Sequence, residues 1–536
     1  MPSGIDARRM ARSSAPTAAP PLEIELKLAV RPQDLERLRR ALSAWGPGRR
    51  QRLRTHYVDT PERLLAQHGV ALRLRRIGRG WVQTLKARGS GGALSVRGEW
   101  ETPVTAPTVD LGRLKGTPAA KLLPLLARAG ALRPVFLTDF ERTTWDIVLD
   151  AVQFEAALDL GAVRAGRGRA AATTPLCELE LELRGGDPAA LIDFALDLMA
   201  PRGAPALRPL LDSKATRGDR LARGETAAVT KAGASGFRAA LPREPTTAEA
   251  LRAVVGHGTH VLLANVDGLL QLDRPLRSTQ AEFVHQARVA LRRMRSAARL
   301  LDRRGRDLPE PVRGEMRWFA GLCGAARDLD VLLDETLPAL ERDGTPRTAA
   351  VERTMRVRHA RAYRALRAAA AGVRFARLAL RLLRWTRTPA PKTPAFAARA
   401  PRRLGRLRKR LLDSAAFFTA LDAPQRHAVR IRAKRLRYAL ELAADTMPVA
   451  ATTAWTRRLE ALQDLLGAAN DAEVAQQTVA QLGDAAAVRS LRAAARNFVR
   501  GSLMPTERAL LQLARAPEPW RPRPTRRAPR SPAAKA

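Results

Sequence analysis

The amino-acid sequence predicts two structural classes in one chain: an α+β domain dominated by antiparallel strands, followed by an all-α domain. Three observations support this prediction. Between about 21 and 222, many segments alternate apolar and polar side chains with period two, the pattern of half-buried strands. From 248 to about 510 the pattern is helical and rich in Ala, Leu and Arg. The helical half also contains an internal repeat, which predicts two similar bundles.

The order of the segments predicts the domain boundaries. A chain of 536 residues is too long for one core and predicts two to four domains. Residues 223–247 are rich in Gly, Ala, Thr and Pro and are predicted to be a linker. A Pro-containing stretch divides the helical domain into repeats of about 248–385 and 402–510. The basic, Pro-rich tail over 516–536 is predicted to be disordered.

The net charge is the most pronounced global feature. Lys and Arg number 94 against 52 Asp and Glu, which gives a formal charge of +42. Such a chain attracts polyanions, namely nucleic acid, anionic lipid or phosphate polymers. We expect nucleic acid to bind only non-specifically, because the helical half lacks aromatic platforms for single strands.

Several classes of protein are excluded by composition. No run of 18 apolar residues occurs, so no membrane span is expected. The N-terminus lacks the apolar segment of a secretory signal. Cys177 and Cys323 lie far apart, which excludes a disulfide framework and a thiolate metal site. We expect a soluble, cytoplasmic protein, and the sequence leaves its oligomeric state open.

The predicted strands carry charge on one face only. In "PLEIELKL" (21–28), Glu23, Glu25 and Lys27 alternate with apolar residues. Three glutamates in a row, as in "CELELEL", repel one another unless cations face them. A closed barrel with a charged interior explains all these strands at once, and such an interior suits a polyanion and divalent cations. The other charged-face residues are Arg73, Arg75, Arg97, Glu99, Glu101, Glu178, Glu180 and Glu182.

These residues resemble the signature of the CYTH, or triphosphate tunnel metalloenzyme, domain. Glu23-x-Glu25-x-Lys27 is followed in that domain's order by "HYVDTPERLLAQHGVALRLRR", "TLKA", "RGEWE", Arg142, "ELELEL" and "SKATRG". The resemblance covers about 21–222. It implies an eight-stranded antiparallel tunnel with flanking helices that hydrolyses triphosphate-containing substrates with Mg²⁺ or Mn²⁺.

The resemblance also implies roles for individual residues. It implies catalytic roles for Lys27, Glu25 and Glu180. Whether Asp159 matches an acidic position of the family stays open. The implied substrate-binding residues are Lys27, Arg73, Arg75, Lys86, Arg97, Arg142 and Lys214. The implied metal-site carboxylates are Glu23, Glu25, Glu180 and Glu182, with Glu99, Glu101 and Glu178 nearby.

The helical half repeats a basic motif. "HQARVALRRMR" (285–295) aligns without gaps to "HAVRIRAKRLR" (427–437), and "GAARDLDV" (324–331) aligns to "GAANDAEV" (467–474). A single basic stripe is most often a solvated face, but two copies that keep it favour a function. One helical face holds His285, Arg288, Arg292 and Arg295, and its counterpart holds His427, Arg430, Lys434 and Arg437, with Arg293 and Arg435 also matched.

This half resembles the CHAD domain, a duplicated helical domain that often follows a CYTH domain. The resemblance implies two pseudo-symmetric bundles whose basic faces bind inorganic polyphosphate. We expect Arg327, Asp328 and Asp330 to have structural roles, pairing with the basic helix.

The leading functional hypothesis is a metal-dependent inorganic triphosphatase joined to a polyphosphate-binding module. Two alternatives stay open: a class IV-type adenylate cyclase, and a polyphosphate-binding protein without turnover. The sequence does not determine the preferred metal or the chain length of the substrate.

Overall fold

A computed structural model describes residues 22–520 except 88, 91, 129–131, 167–170, 273–276, 303–306, 339–348 and 481–485. The chain divides into two compact units between Ala228 and Val229. The first unit is α+β and the second is helical, as the sequence predicts.

Eight antiparallel strands close into a barrel in the first unit. Around the ring the order is β1–β5–β4–β3–β2–β6–β7–β8, and β8 pairs again with β1. A short ninth strand, β9 (Leu207–Pro209), pairs with the second half of β1. The predicted tunnel is confirmed. Its strands are β1 (Leu22–Val30), β2 (Arg49–Asp59), β3 (Val70–Ile77), β4 (Gly80–Ala87), β5 (Leu94–Val104), β6 (Arg133–Leu149), β7 (Val152–Ala165) and β8 (Ala172–Gly185).

The apolar faces of the strands pack outward. Leu72 and Leu74 of β3 and Leu85 of β4 are at most 3% exposed. They form a cluster with residues of the segment between β5 and β6, including Leu114 and Leu122. Because side chains alternate along a strand, burying this outer face turns the charged residues inward.

Helices cover the barrel, and one of them reaches its charged interior. The helices described in this unit are α1 (Leu35–Ser43), α2 (Leu64–Gln67), α3 (Leu123–Arg128), α4 (Ala189–Leu198) and α5 (Lys214–Ala222). Ser213 caps α5 by accepting a hydrogen bond from the Thr216 backbone N–H. A Cβ atom at Gly218 would lie 2.1 Å from the Phe136 ring, so glycine permits the close approach of α5 to β6.

The second unit consists of packed helices. They are α6 (Ala234–Ala239), α7 (Thr247–Gln271), α8 (Arg277–Leu301), α9 (Glu310–Val331), α10 (Ala349–Ala370), α11 (Val373–Arg387), α12 (Phe396–Ser414), α13 (Ala423–Leu442), α14 (Val449–Ala480) and α15 (Ala486–Arg515). A π-helical turn, Leu332–Thr336, continues α9. The two basic motifs lie on α8 and α13, and the two "GAA" motifs lie on α9 and α14. The sequence repeat therefore corresponds to a repeat of helices.

Both predicted flexible segments differ from expectation where the structure describes them. The helical unit begins at Val229, so most of the predicted linker 223–247 belongs to it. The predicted tail begins at 516, yet the Trp520 ring lies 5.0 Å from that of Trp455. Residues 521–536, the remainder of that tail, lie outside the described residues.

Helix α6 explains the difference in the linker. Phe237 is 2% exposed, and its ring lies edge-on to that of His257 at 4.7 Å. The Ala232 N–H donates to Gln286 at 2.7 Å, and Arg293 Nε donates to the Ala232 carbonyl at 2.8 Å. Burial of one aromatic ring and these hydrogen bonds hold the segment against α7 and α8. Gly and Ala enrichment was therefore not a reliable sign of a free linker.

Phe237→Ala should destabilise the helical unit. Removing a buried phenylalanine costs about 3–5 kcal/mol of unfolding free energy, because transfer energy is lost and a cavity remains. Differential scanning calorimetry of the full chain would measure the shift. Phe417→Ala is the matched control, since Phe417 is 81% exposed. Equal unfolding temperatures for the two variants would show that α6 contributes nothing to the unit.

Candidate functional site

The barrel wall brings the predicted charged residues together. Where β1 pairs with β8, Glu25 lies opposite Glu182. Lys27 lies opposite Glu180 in the same pairing. Because directly paired residues point to the same face of a sheet, all four side chains project into the interior. Two strands distant in sequence thus form one charged wall.

A first ionic cluster surrounds Glu23. Its carboxylate accepts from Lys86 Nζ at 2.8 Å and from Arg97 Nε at 2.7 Å. The Lys86 ammonium also lies 3.0 Å from Glu99, and Arg97 also donates to Glu25. Residues from β1, β4 and β5 therefore neutralise one another inside the barrel.

Further ion pairs extend this first cluster along β1 and onto β3. Lys27 Nζ lies 2.7 Å from the Glu25 carboxylate, and these side chains are 4% and 3% exposed. Arg73 of β3 lies 3.1 Å from Glu99 and 3.5 Å from Glu101. Each predicted substrate-binding cation named here contacts a predicted metal-site carboxylate.

A second cluster lies where β7, β8 and α5 meet. Carboxylate oxygens of Asp159, Glu178 and Glu180 lie within 4.8 Å of one another. Lys214 Nζ lies 2.7, 2.5 and 2.8 Å from these three carboxylates, respectively. Arg142 Nη2 donates to Asp159 and to Glu180, both at 2.6 Å. Three carboxylates thus converge on one ammonium and one guanidinium.

Two members of the second cluster were not selected from the sequence. Asp159, which the motif comparison left open, is fully buried and faces Glu178 across the β7–β8 pair. Arg217, one helical turn after Lys214, contacts Glu178. Arg217 follows Lys214 by three residues within "SKATRG", a spacing that places both side chains on one helical face, and this was the available signal for Arg217.

Arg75 differs from the other cations of the interior. Its Nε atom donates to the Thr55 hydroxyl at 2.9 Å. Within the described residues no carboxylate forms an ion pair with it. Burial, together with the positive charges of Arg73 and Arg142, lowers the pKa of Arg75 to about 9. The charge of Glu101 only partly opposes this shift, so the barrel holds a partly buried guanidinium that forms no ion pair with a described carboxylate.

The carboxylates of the interior differ in proton affinity. Burial opposes ionisation of Glu23, but Lys86 and Arg97 prevail and lower its pKa to about 2. Burial raises the pKa of Glu182 to about 7, and the Arg184 guanidinium only partly offsets it. Glu180 is also buried, yet Lys214 and Arg142 hold its pKa well below the usual range. The interior therefore combines carboxylates whose pKa is lowered by neighbouring cations, Glu23 and Glu180, with Glu182, whose pKa is raised to about 7.

The two repeats of the helical unit place their basic residues in one cluster. Helices α8 and α13 pack against each other. Arg288 and Arg292 of α8 and Arg430 of α13 all lie close enough to Lys434 of α13 to depress its pKa. We call Arg288, Arg292, Arg430 and Lys434 the central cluster. Neither repeat supplies it alone.

Acidic partners of the central cluster occupy equivalent places in the two repeats. Asp328 of α9 lies 3.8 Å from Arg288, and Asp471 of α14 lies 3.7 Å from Arg430. Asp328 therefore pairs with the basic helix, as expected. Asp330 instead is fully buried, and its carboxylate forms hydrogen bonds with the His359 and Tyr363 side chains of α10.

The other predicted polyphosphate-binding residues lie around the central cluster in different settings. Arg293 pairs with Glu441 at 2.7 Å, and Arg437 lies 3.5 Å from the same carboxylate. His427 Nδ1 lies 2.7 Å from Asn470 Oδ1. Burial and then the Arg327 charge lower the pKa of His285. Burial, followed by the charges of Arg299, Arg432 and Arg295, lowers the pKa of Arg435 to about 10.

Comparison with known families agrees with both units. Residues 21–207 match the model of the CYTH domain, and residues 259–480 match the model of the CHAD domain. The chain carries a CYTH domain followed by a CHAD domain. The resemblances read from the motifs are thereby confirmed.

Individual relatives cover parts of the chain. An inorganic triphosphatase from Haemophilus influenzae is 33% identical over 176 residues, which are 32% of this chain and 48% of that protein. The chain thus spans about half the length of this curated relative. The solved CHAD domain of Ricinus communis is 28% identical, with a TM-score of 0.42, over 55% of this chain and 98% of that one. A proposed adenylyl cyclase from Hippeastrum, described with a dominant triphosphatase activity, is 18% identical, with a TM-score of 0.30, over 38% and 96%.

In the described part of the chain, no helix has both the length and the hydropathy needed to cross a membrane. The expected cytoplasmic location stays a prediction.

Proposed function

We propose that the CYTH domain hydrolyses inorganic triphosphate with a divalent cation, and that the CHAD domain binds inorganic polyphosphate. The triphosphatase relative supports the hydrolytic activity, and the charged barrel interior supports the substrate class.

One observation carries the hydrolytic proposal: Arg75 forms no ion pair with a carboxylate among the residues that the structure describes. Among the described side chains, only the neutral Thr55 hydroxyl accepts a hydrogen bond from its guanidinium. Arg73 and Arg142 add positive charge beside it. A buried cation without an anion is costly, and a phosphate group would satisfy it with charge-assisted hydrogen bonds. The interior thus favours an anionic substrate over a neutral one.

The carboxylates of the barrel fit a hard divalent cation. Asp159, Glu178 and Glu180 offer clustered oxygen donors, and the facing pair Glu25 and Glu182 offers two more. Oxygen-only donor sets suit Mg²⁺ and Mn²⁺ rather than softer metals. When bound, the cation would supply positive charge that offsets the negative charge developing on the phosphate oxygens. Glu23 and Glu25 of β1 with Glu180 and Glu182 of β8 are the residues we expect to hold it.

The chain's own cations would bind and orient the substrate. Lys86 and Arg97 now neutralise Glu23, and Arg73 neutralises Glu99. A triphosphate would compete with these carboxylates for the same donors, which leaves the carboxylates available to a metal. Lys27, between Glu25 and Glu180, would hold the phosphate nearest the metal-site carboxylates. Substrate and metal would then bind cooperatively.

The central cluster supports the polyphosphate proposal. Four basic side chains face two carboxylates there, and the arginines offer more donors than those acids accept. A linear polyanion supplies closely spaced acceptors that can contact several of these cations at once. Its binding should weaken steeply with salt, because each neutralised phosphate releases counterions.

Hydrolysis of tripolyphosphate should require a divalent cation. We expect the purified full-length protein to release phosphate with Mg²⁺ or Mn²⁺, to stop in EDTA, and to resume when excess metal is restored. Measuring cyclic AMP from ATP in parallel tests the cyclase alternative. Full activity in EDTA, or cyclic AMP as the main product, would refute the proposal. Polyphosphate binding without phosphate release would establish a non-catalytic protein.

A further inference from the structure

The central cluster has more positive charge than its surroundings neutralise. Arg288 and Arg430 each have one carboxylate, Asp328 and Asp471, at 3.8 and 3.7 Å. Arg292 and Lys434 occupy the matched positions of the two repeats and add two further basic groups. Four basic groups thus share two acids.

Hydrogen bonding in the cluster is equally unbalanced. The Nε atoms of Arg292 and Arg430 are buried and have no hydrogen-bond acceptor among the described residues. On one side, the Arg292 guanidinium lies over the Tyr438 ring, 5.6 Å from the ring centre. A buried donor without an acceptor costs free energy that a bound anion would recover.

Lys434 is the one member of the central cluster that can reduce the positive charge of the cluster by losing its own proton. Arginine stays protonated in proteins, whereas a lysine amine readily loses its proton when buried among cations. At this position the first repeat has Arg292 and the second has Lys434. Burial, followed by the charges of Arg430, Arg292 and Arg288, lowers the pKa of Lys434 to about 6, and Asp471 only partly opposes them.

Charges on the other helices packed against α13 lie elsewhere. The charge of Arg410 of α12 contributes to lowering the pKa of Arg435. Arg238 of α6 lies 3.6 Å from Asp445. The charges that act on Lys434 therefore come from α8 (Arg288 and Arg292), from α14 (Asp471) and from its own helix (Arg430).

We propose that binding of polyphosphate to the central cluster is coupled to uptake of one proton by Lys434. In the free protein at pH 7 the amine is neutral, and in the complex it is an ammonium that contacts phosphate. This inference rests on the proposed polyphosphate binding and adds its regulation by pH. The repeats therefore contribute differently: Arg292 has a fixed charge, and Lys434 has a charge that appears when the ligand binds.

The sign of the pH dependence follows from linkage. Phosphate raises the proton affinity of the amine, so the complex binds more protons than the free protein above pH 6. Affinity is highest well below pH 6, where the free amine is already charged, and falls as the pH rises. Between pH 6.5 and 8.5 this one group should weaken binding on the order of 50-fold.

Isothermal titration calorimetry measures the protons directly. Full-length protein in EDTA is titrated with linear inorganic polyphosphate of defined length, at pH 7, in two buffers of different ionisation enthalpy. The parent should take up about one proton more than Lys434→Arg, whose guanidinium stays charged. Protons on the polymer ends contribute equally to both proteins and cancel in the difference. Arg292→Lys, the mirror variant, should increase proton uptake because it adds a second amine to the cluster.

Each outcome distinguishes this inference from the proposed function. Equal proton numbers for the parent and Lys434→Arg, with both binding, would overturn the inference alone. Absence of binding by the parent would overturn both. A second measurement on the free protein uses an amine-selective acylating reagent read by mass spectrometry. Labelling of Lys434 that rises only above pH 9 would also overturn the inference, whereas labelling that rises near pH 6 would support it.

Discussion

Glu180→Gln should lower the tripolyphosphatase kcat/KM by about 10²- to 10³-fold, the effect typical of removing one charged group that acts in the transition state. The substitution keeps the shape of the side chain and removes its charge. Glu180 lies at the centre of the second cluster, 2.6 Å from Arg142 and 2.8 Å from Lys214, and opposite Lys27. Its loss should weaken divalent metal binding and leave these cations less well oriented.

Steady-state kinetics over a range of Mn²⁺ concentrations would measure the loss. Asp139→Asn is the matched control, since Asp139 pairs with the 73%-exposed Arg52 on the outer face of β6. Asp139→Asn should keep near-parent turnover, and calorimetry should show that both variants are folded. Parent-like turnover in Glu180→Gln would remove Glu180 from the catalytic machinery.

Replacing Arg288, Arg292 and Arg430 together with Gln should weaken polyphosphate binding on the order of a thousandfold. A charge-assisted hydrogen bond contributes about 1.5 kcal/mol or more, and three such losses add to roughly this factor. The slope of log affinity against log salt should also decrease by about two to three, since fewer counterions are released.

A salt series of equilibrium binding measurements tests both expectations. The control replaces Arg353, Arg361 and Arg364 on the exposed face of α10 with Gln, which removes the same net charge. If the control weakens binding as much as the central variant, net charge rather than the central cluster determines affinity. Parent affinity in the central variant would place the polyphosphate site elsewhere.

Much of the barrel was predictable because strand alternation is a local property. Glu23, Glu25 and Lys27 share a face whatever their neighbours are, and the outward burial of Leu72 and Leu74 follows from the same period. The linker was less predictable. Phe237 docks on His257, which lies outside that segment, so composition within 223–247 carried no sign of the contact.

The two candidate sites were likewise only partly predictable from the sequence. The sequence identified the carboxylates of β8 but could not show which cations face them. Arg142 and Lys214 reach Glu180 only because β6, β7 and α5 close around β8. In the helical unit, the sequence aligned Arg288 with Arg430, and folding made them neighbours in one cluster.

Periodicity was sufficient to predict the fold classes, the repeat and the charged faces, because helical and strand periodicities act between residues a few positions apart. The tertiary structure decided the pairings: Asp159 with Lys214 across 55 positions, and Arg292 beside Lys434 from two different repeats. Barrel closure and helix packing bring such groups together. Burial then sets their proton affinities, because desolvation and the summed field of neighbours exist only in the folded state.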